Sequence, residues 1–219
     1  VELSRDFERG EFDPAQAATR YPLLLASRQR MLREWPGLLA DYARAGGTLI
    51  LESVPGWQLD AGVQALEEGE EDAGEKAPTT VAISELSGVD FRYHPRGFAT
   101  RWRVVKEHPL TEGMGEVGQW YDVPYKEGGN TYGYLCHPVV ATDAEVLIEV
   151  EHEKCPYDGV AYVRQGEITG VYPLLTVRAV GEGTVVRQYS ANSPATVFAE
   201  AYDTLVANLL SYAVRSAGL

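Results

Sequence analysis

Apolar and polar positions alternate between two periods along this chain, and the switches between them outline its elements. Residues 21–27, "YPLLLAS", form a short unbroken apolar run, the pattern of a strand buried on both faces. After it Met31, Leu32, Trp35, Leu38, Leu39 and Tyr42 recur at helical spacing, with Pro36 marking a start near Trp35 or a kink there. Gly46 and Gly47 stop that helix, and "TLILES" (48–53) is the next strand. Strand, helix and strand joined by short links predict a βαβ unit with parallel strands.

Further on the runs shorten. Residues 1–20 are polar and read as a lead-in loop. "VAISELSGVDFRY" suits a strand or short helix and then a strand, and "TRWRVVKEHPLTEGM" a strand running into a turn. Strand-like stretches follow at Glu145–Val150, Val160–Arg164, Val171–Val177 and Thr184–Tyr189. Gln165-Gly166 and Gly181-Glu182-Gly183 read as hairpin turns between them. Ser193-Pro194 offers an N-cap and a first-turn proline to a closing amphipathic helix built on Val197, Phe198, Ala201, Leu205, Leu209 and Tyr212. The acidic stretch 67–76, "EEGEEDAGEK", reads as a solvated, flexible loop without the ligand spacing of a calcium-binding loop.

Composition narrows the partners. The 219 residues carry a net charge of −13 with no basic cluster, which argues against nucleic acid and anionic membranes. No apolar stretch reaches the roughly 18 residues of a membrane helix. No secretory leader opens the chain, so a cytoplasmic location is expected, although a sequence that starts at Val1 fits a processed or trimmed product. Cys136 and Cys155 are too few for a disulfide framework; one bond or two thiols both fit.

The stretches "YPLLLAS", "LLADYARAGGTLILES", "SGVDF", "EHPLTEGM", "VRAVGEGTVVRQYS" and "VFAEAYDTLVANLLSYA" together resemble the class I glutamine amidotransferase-like superfamily. The likeness is to its non-amidotransferase branches, the ThuA-like proteins and the trimerisation-type domain of some β-galactosidases. It spans most of residues 20–215, in motifs that are each short. The resemblance implies an α/β, flavodoxin-like three-layer domain with a mainly parallel sheet, here carrying a hairpin-rich β extension after residue 140. Residues 1–219 are expected to form one such domain. In the superfamily a strand and helix usually precede the one read at Tyr21–Ser27. Their absence suggests a fragment lacking its first β-α unit, or a unit that is irregular or supplied by a neighbour. The glycine-flanked cysteine elbow of the amidotransferases is missing, as is their late His-x-Glu pair, so the resemblance argues against glutaminase activity.

The candidate chemistry is sparse. Glu52 and Ser53 sit where an α/β sheet presents functional groups, beside Pro55-Gly56. A serine nucleophile there would need His94, His108, His137 or His152 as base; turn hydrogen bonds are the plainer role. Cys136 and His137 are types that form a thiolate pair, but neighbours on a strand face opposite ways. "EVEHEKCPYD" holds Glu149, Glu151, His152, Glu153, Cys155 and Asp158 without the second Cys/His pair of a zinc site, so no metal is assigned. An aromatic platform for a carbohydrate or another small ligand could draw on Trp57, Trp120, Tyr121, Tyr125, Asn130 and Tyr132. The expected function is a non-catalytic binding or assembly domain, carbohydrate-related by resemblance, that associates with itself or within a larger parent chain and needs no cofactor. The alternative is a hydrolase using Ser53 or Cys136 with a histidine, or a metal-dependent hydrolase.

Overall fold

In the computed structural model the described residues are 6–7, 9–27, 35–52, 78–91, 96–125, 131–190, 194–216 and 218. The loop at 67–76 lies outside them. Helix α1 (Pro14–Arg20) forms where a lead-in loop is expected. Its start is encoded by Asp13-Pro14: the Asp13 carboxylate accepts from the amides of Ala15 and Gln16, and proline opens the first turn. Strand β1 (Leu23–Ser27), helix α2 (Trp35–Arg44) and strand β2 (Thr48–Glu52) then make the expected unit, with β1 and β2 parallel in register Leu23 to Thr48. Gly46, at φ +104°, reverses the chain between α2 and β2.

Helix α3 (Pro78–Ser87) leads into strand β3 (Val89–Phe91). Strands β4 (Gly97–Val104), β5 (Trp120–Asp122), β6 (Leu135–Cys136), β7 (Val139–Ala141), β8 (Glu145–Lys154), β9 (Ile168–Val180) and β10 (Gly183–Gln188) follow. The main sheet runs β1-β2-β10-β9-β8-β4-β5, with β6 also on β4; β3 and β7 pair separately.

This overturns the expected three-layer, flavodoxin-like domain with a mainly parallel sheet. Among the described residues only β1–β2 and β2–β10 are parallel. The other pairings are antiparallel: β10–β9, β9–β8, β8–β4, β4–β5, β4–β6 and β3–β7. The hairpin strands are no appendage; they are the body of the sheet. The physical reason is connection length, since a parallel neighbour needs a crossover whereas a two-residue turn such as Gly181-Glu182, with Gly181 at φ +62°, returns the strand antiparallel.

Helices cover both faces at the β1–β2–β10 end. On one side Leu49, Leu51 and Val185 pack against Trp35, Leu39 and Tyr42 of α2 and Ile83 of α3. On the other, Ile50, Val186, Leu175, Ile148, Val150 and Trp102 pack with Phe198 and Leu205. The closing helix is broken, which the periodicity does not predict. Helix α4 (Pro194–Phe198) ends in a 3-10 turn, Ala199–Ala201, before α5 (Tyr202–Ser216), and Ala199 stands at φ +46° in that break. Val160–Arg164 is likewise not a strand. Asp158 accepts from the amides of Val160 and Ala161 at 2.9 and 2.8 Å, closing a side-chain turn instead, and Arg164 folds back on Glu153.

Towards β5 one sheet face carries a ladder of ion pairs between neighbouring strands. Arg101 on β4 makes a two-pronged bond to Glu151 on β8, at 3.0 and 2.7 Å, and Arg103 pairs with Glu149. Arg101, through its hydrogen bond first, and the Thr100 hydroxyl hold the Glu151 carboxyl below its usual range.

Candidate functional site

Parallel strands bring their carboxyl ends to one side of a sheet, and here β1, β2 and β10 finish level. Ser27 pairs with Glu52, and Glu52 with Gln188. Alternation then sets the faces. Val185 and Arg187 of β10 point towards α3, where Arg187 donates to the Ser87 hydroxyl at 2.9 Å. Val186 and Gln188 point the other way, beneath α5. A crevice of about 20 Å³ lies there, with Ile50 and Glu52 of β2, Gln188 of β10, and Tyr202 and Leu205 of α5 among its walls.

The polar groups of this crevice are few. Gln188 is 3% exposed, and its carbonyl oxygen Oε1 accepts the Ser190 hydroxyl at 3.0 Å. Its amide nitrogen Nε2 is buried and has no hydrogen-bond partner. Burial raises the Tyr202 phenol above its ordinary value, and the negative charges of Glu52 and Asp203 raise it further. A neutral phenol and an amide beside one carboxylate are the polar groups among its walls. Sequence reading singled out Glu52 but missed Gln188 and Tyr202. The available signal was the lone amide in the strand-like run "TVVRQY"; its place beside Glu52 comes from the β10–β2 register.

The other expected site residues are dispersed. Ser53, Trp57 and Asn130 lie outside the described residues, as does the Tyr132 side chain, whose backbone sits in a 3-10 turn at Thr131–Tyr134. Cys136 is fully buried among Trp102, Val197 and Phe198, and burial pushes its thiol far above its ordinary value. His137 is buried beside it, held through its backbone amide to the Tyr189 carbonyl at 3.0 Å. Cys155 is unbonded too, its thiol pushed up to about 11 by burial and by Glu153. Since thiolate is the reactive form, Cys155 of the folded chain should react with iodoacetamide about a hundredfold more slowly than a free thiol, and Cys136 more slowly still. Denaturant should abolish the difference. Fast labelling of Cys136 in the native chain would contradict its burial.

The stretch 149–158 does not converge on a metal. Glu149 and Glu151 face the arginine ladder, Glu153 binds Arg164, and Asp158 caps its own turn, while His152 is buried on the opposite sheet face. Among the described residues no group of three or more His, Cys, Asp or Glu could hold a metal ion. The aromatic residues also part company. Trp120 lies under the guanidiniums of Arg101 and Arg103, at 4.8 and 4.6 Å from its ring centre. Tyr121 stacks inward on Trp102, its hydroxyl accepting from the Glu116 amide at 2.8 Å. Tyr125 packs on Phe98 and Tyr134. His108, lowered by burial, accepts from the Leu110 amide through Nδ1 and braces the turn after β4. Among the described residues no helix is long and apolar enough to cross a membrane.

No family model matches the chain, and no curated protein does. Solved structures do. A cytoplasmic protein of Salmonella typhimurium LT2, STM1381, is 17% identical with a TM-score of 0.55, over 92% of this chain and 76% of that one. A second cytoplasmic protein of Salmonella typhimurium, STM3548, is 15% identical with a TM-score of 0.53, over 96% and 85%. A β-galactosidase from Bacillus circulans sp. alkalophilus is 15% identical with a TM-score of 0.48, and the match takes in 89% of this chain but 23% of that one. At these identities the two Salmonella proteins establish a shared fold and nothing finer.

Proposed function

We propose that this chain is a non-catalytic assembly domain that meets a second copy of itself across the flank formed by β1 and α5. The observation that carries the reading is an apolar, charge-poor flank beside an open sheet edge. Among the described residues β1 pairs only with β2, and an unpaired edge is a template for another chain. Leu25, in the middle of β1, is 52% exposed, and α5 leaves Val206, Leu210 and Val214 exposed at successive helical turns. These groups adjoin: Leu25 stands in register with Ile50, and Ile50 lies in the crevice wall with Val206. In a chain of net charge −13, two copies repel everywhere except where charge is sparse, and a clustered apolar flank is the surface that association would bury.

Sedimentation velocity from about 1 to about 200 µM tests this, the range in which micromolar self-association is read. The wild-type chain should form dimers as concentration rises. Leu25→Glu and Leu210→Glu should each leave it monomeric with an unchanged circular dichroism spectrum. A monomer throughout the range for the wild type would sink the reading. The hydrolase alternative draws no support from Cys136, whose thiol is shut in the core.

A further inference from the structure

We propose that two copies of this chain exchange α5, each laying its last helix on the other's sheet. The inference rests on the self-association proposed above and names the element that the copies share. It starts from a break where the local sequence asks for none. Ala199, Glu200 and Ala201 are helix formers, and no Gly or Pro occurs from Val197 to Ser216. The apolar positions Val197, Phe198, Ala201, Leu205, Leu209 and Tyr212 keep one helical period straight through. Local preference is therefore a single helix from Pro194 to Ser216, yet α4 and α5 are separated by the 3-10 turn Ala199–Ala201. Ala199 is the one non-glycine at positive φ among the described residues, at +46°, a conformation in which its Cβ is crowded by the backbone. Tertiary packing holds the bend against that preference.

The two sides of the break are held unequally. Val197 and Phe198 of α4 are buried in the main core. Of α5 only Leu205 and Ala213 are buried, with Tyr202, Leu209 and Tyr212 partly so. Its polar anchor is Asn208, whose side-chain amide donates to the Leu110 and Glu112 carbonyls at 3.2 and 2.7 Å. None of these contacts requires α5 to come from the same chain. The occupant follows from that, because the seat already fits α5 and a second copy carries an identical helix. In an exchanged pair every contact of the seat is kept, while Ala199 enters a straight helix in both chains. Release of the bend, counted twice, is then what favours the pair over two closed monomers.

A disulfide across the seat tests it. A methyl group at Gly113 would stand 3.7 Å from Thr204 Cγ2 on α5, within reach of a bond between cysteines at the two positions. Gly113→Cys and Thr204→Cys are made in separate chains, mixed in urea, refolded together at about 200 µM and oxidised. Exchange predicts a covalent dimer in the mixture that neither variant gives alone. One chain carrying both substitutions, refolded dilute, is the control that the pair can bond. Ala199→Gly relaxes the bend and disfavours the straight helix, so it should weaken wild-type dimerisation by about tenfold or more in sedimentation velocity. Dimers without a disulfide between chains would overturn the exchange and leave the flank contact standing, as would Ala199→Gly dimerising as tightly as the wild type. A monomer at every concentration would overturn both.

Discussion

Gly183→Ala is expected to cost the chain about 4 kcal/mol, a large share of the roughly 5–15 kcal/mol that holds a domain together. Gly183 opens β10 where the strand passes under the end of α2. A methyl group there would stand 2.2 Å from the Ala43 carbonyl oxygen, 2.3 Å from that of Gly47 and 2.9 Å from the Gly46 carbonyl carbon. All three are backbone atoms, so no rotamer change relieves the overlap. Relief requires lifting α2 off the sheet, which stretches the bonds from the Glu182 amide to the Arg44 carbonyl and from the Thr184 amide to the Gly47 carbonyl. Overpacking contributes about 1–3 kcal/mol and the two hydrogen bonds about 1 kcal/mol each. The control is Gly166→Ala, where φ is +72° but no atom lies within 4 Å of the new methyl, so only about 1–2 kcal/mol of backbone strain is at stake. Urea denaturation of both variants decides it. Equal midpoints would mean that α2 is not seated on β10 as described.

Acidification should weaken the fold well above the carboxylate range, and His152 is the cause. The imidazole is 1% exposed, packed over the Gly97 backbone and 4.7 Å from the Tyr172 ring. Burial lowers its pKa from 6.5 to about 3, so it stays neutral in the folded chain. Between those values the unfolded chain takes up a proton that the folded chain refuses, so stability falls as pH falls through that window. The slope approaches about 1.4 kcal/mol per pH unit, or about 2 kcal/mol by pH 5. Glu151 and Glu153, both lowered below 4.5, add their own losses only below about that pH. The interval from 6.5 to 5 therefore isolates histidine, with His108 as the smaller contributor. Urea midpoints measured at pH 7, 6 and 5 should decline for the wild type and flatten in His152→Leu. A flat wild-type profile would mean that the imidazole is not buried neutral.

What the sequence disclosed was whatever depends on neighbours along the chain. The β1–α2–β2 unit follows from one period switch and the Gly46-Gly47 stop, and the Gly181 turn from its glycines. Helix α1 was also legible, in Asp13-Pro14, and was missed because the residues around it are polar. The stretch Val160–Arg164 alternates like a strand, yet Asp158 competes for its amides and wins. The sheet's mixed character was hidden for a different reason, since pairing partners are chosen across the chain and alternation reads the same in parallel and antiparallel strands. The candidate site divides likewise. Glu52 is visible as a strand end, whereas Gln188 acquires its meaning only because β10 lies beside β2 in space.

That last pairing also divides the molecule in time. Strands β8, β9 and β10 follow one another along the chain, β9 and β10 through the two residues Gly181-Glu182, so they can meet by local search. Thr48–Glu52 meets Thr184–Gln188 only after most of the chain has been drawn in, which makes this seam the costliest loop closure in the sheet. A nascent chain therefore carries β1 and β2 unpaired with β10 until its last strand is synthesised. For that interval Leu49, Ile50 and Leu51 lie open to whatever else is unfolded nearby.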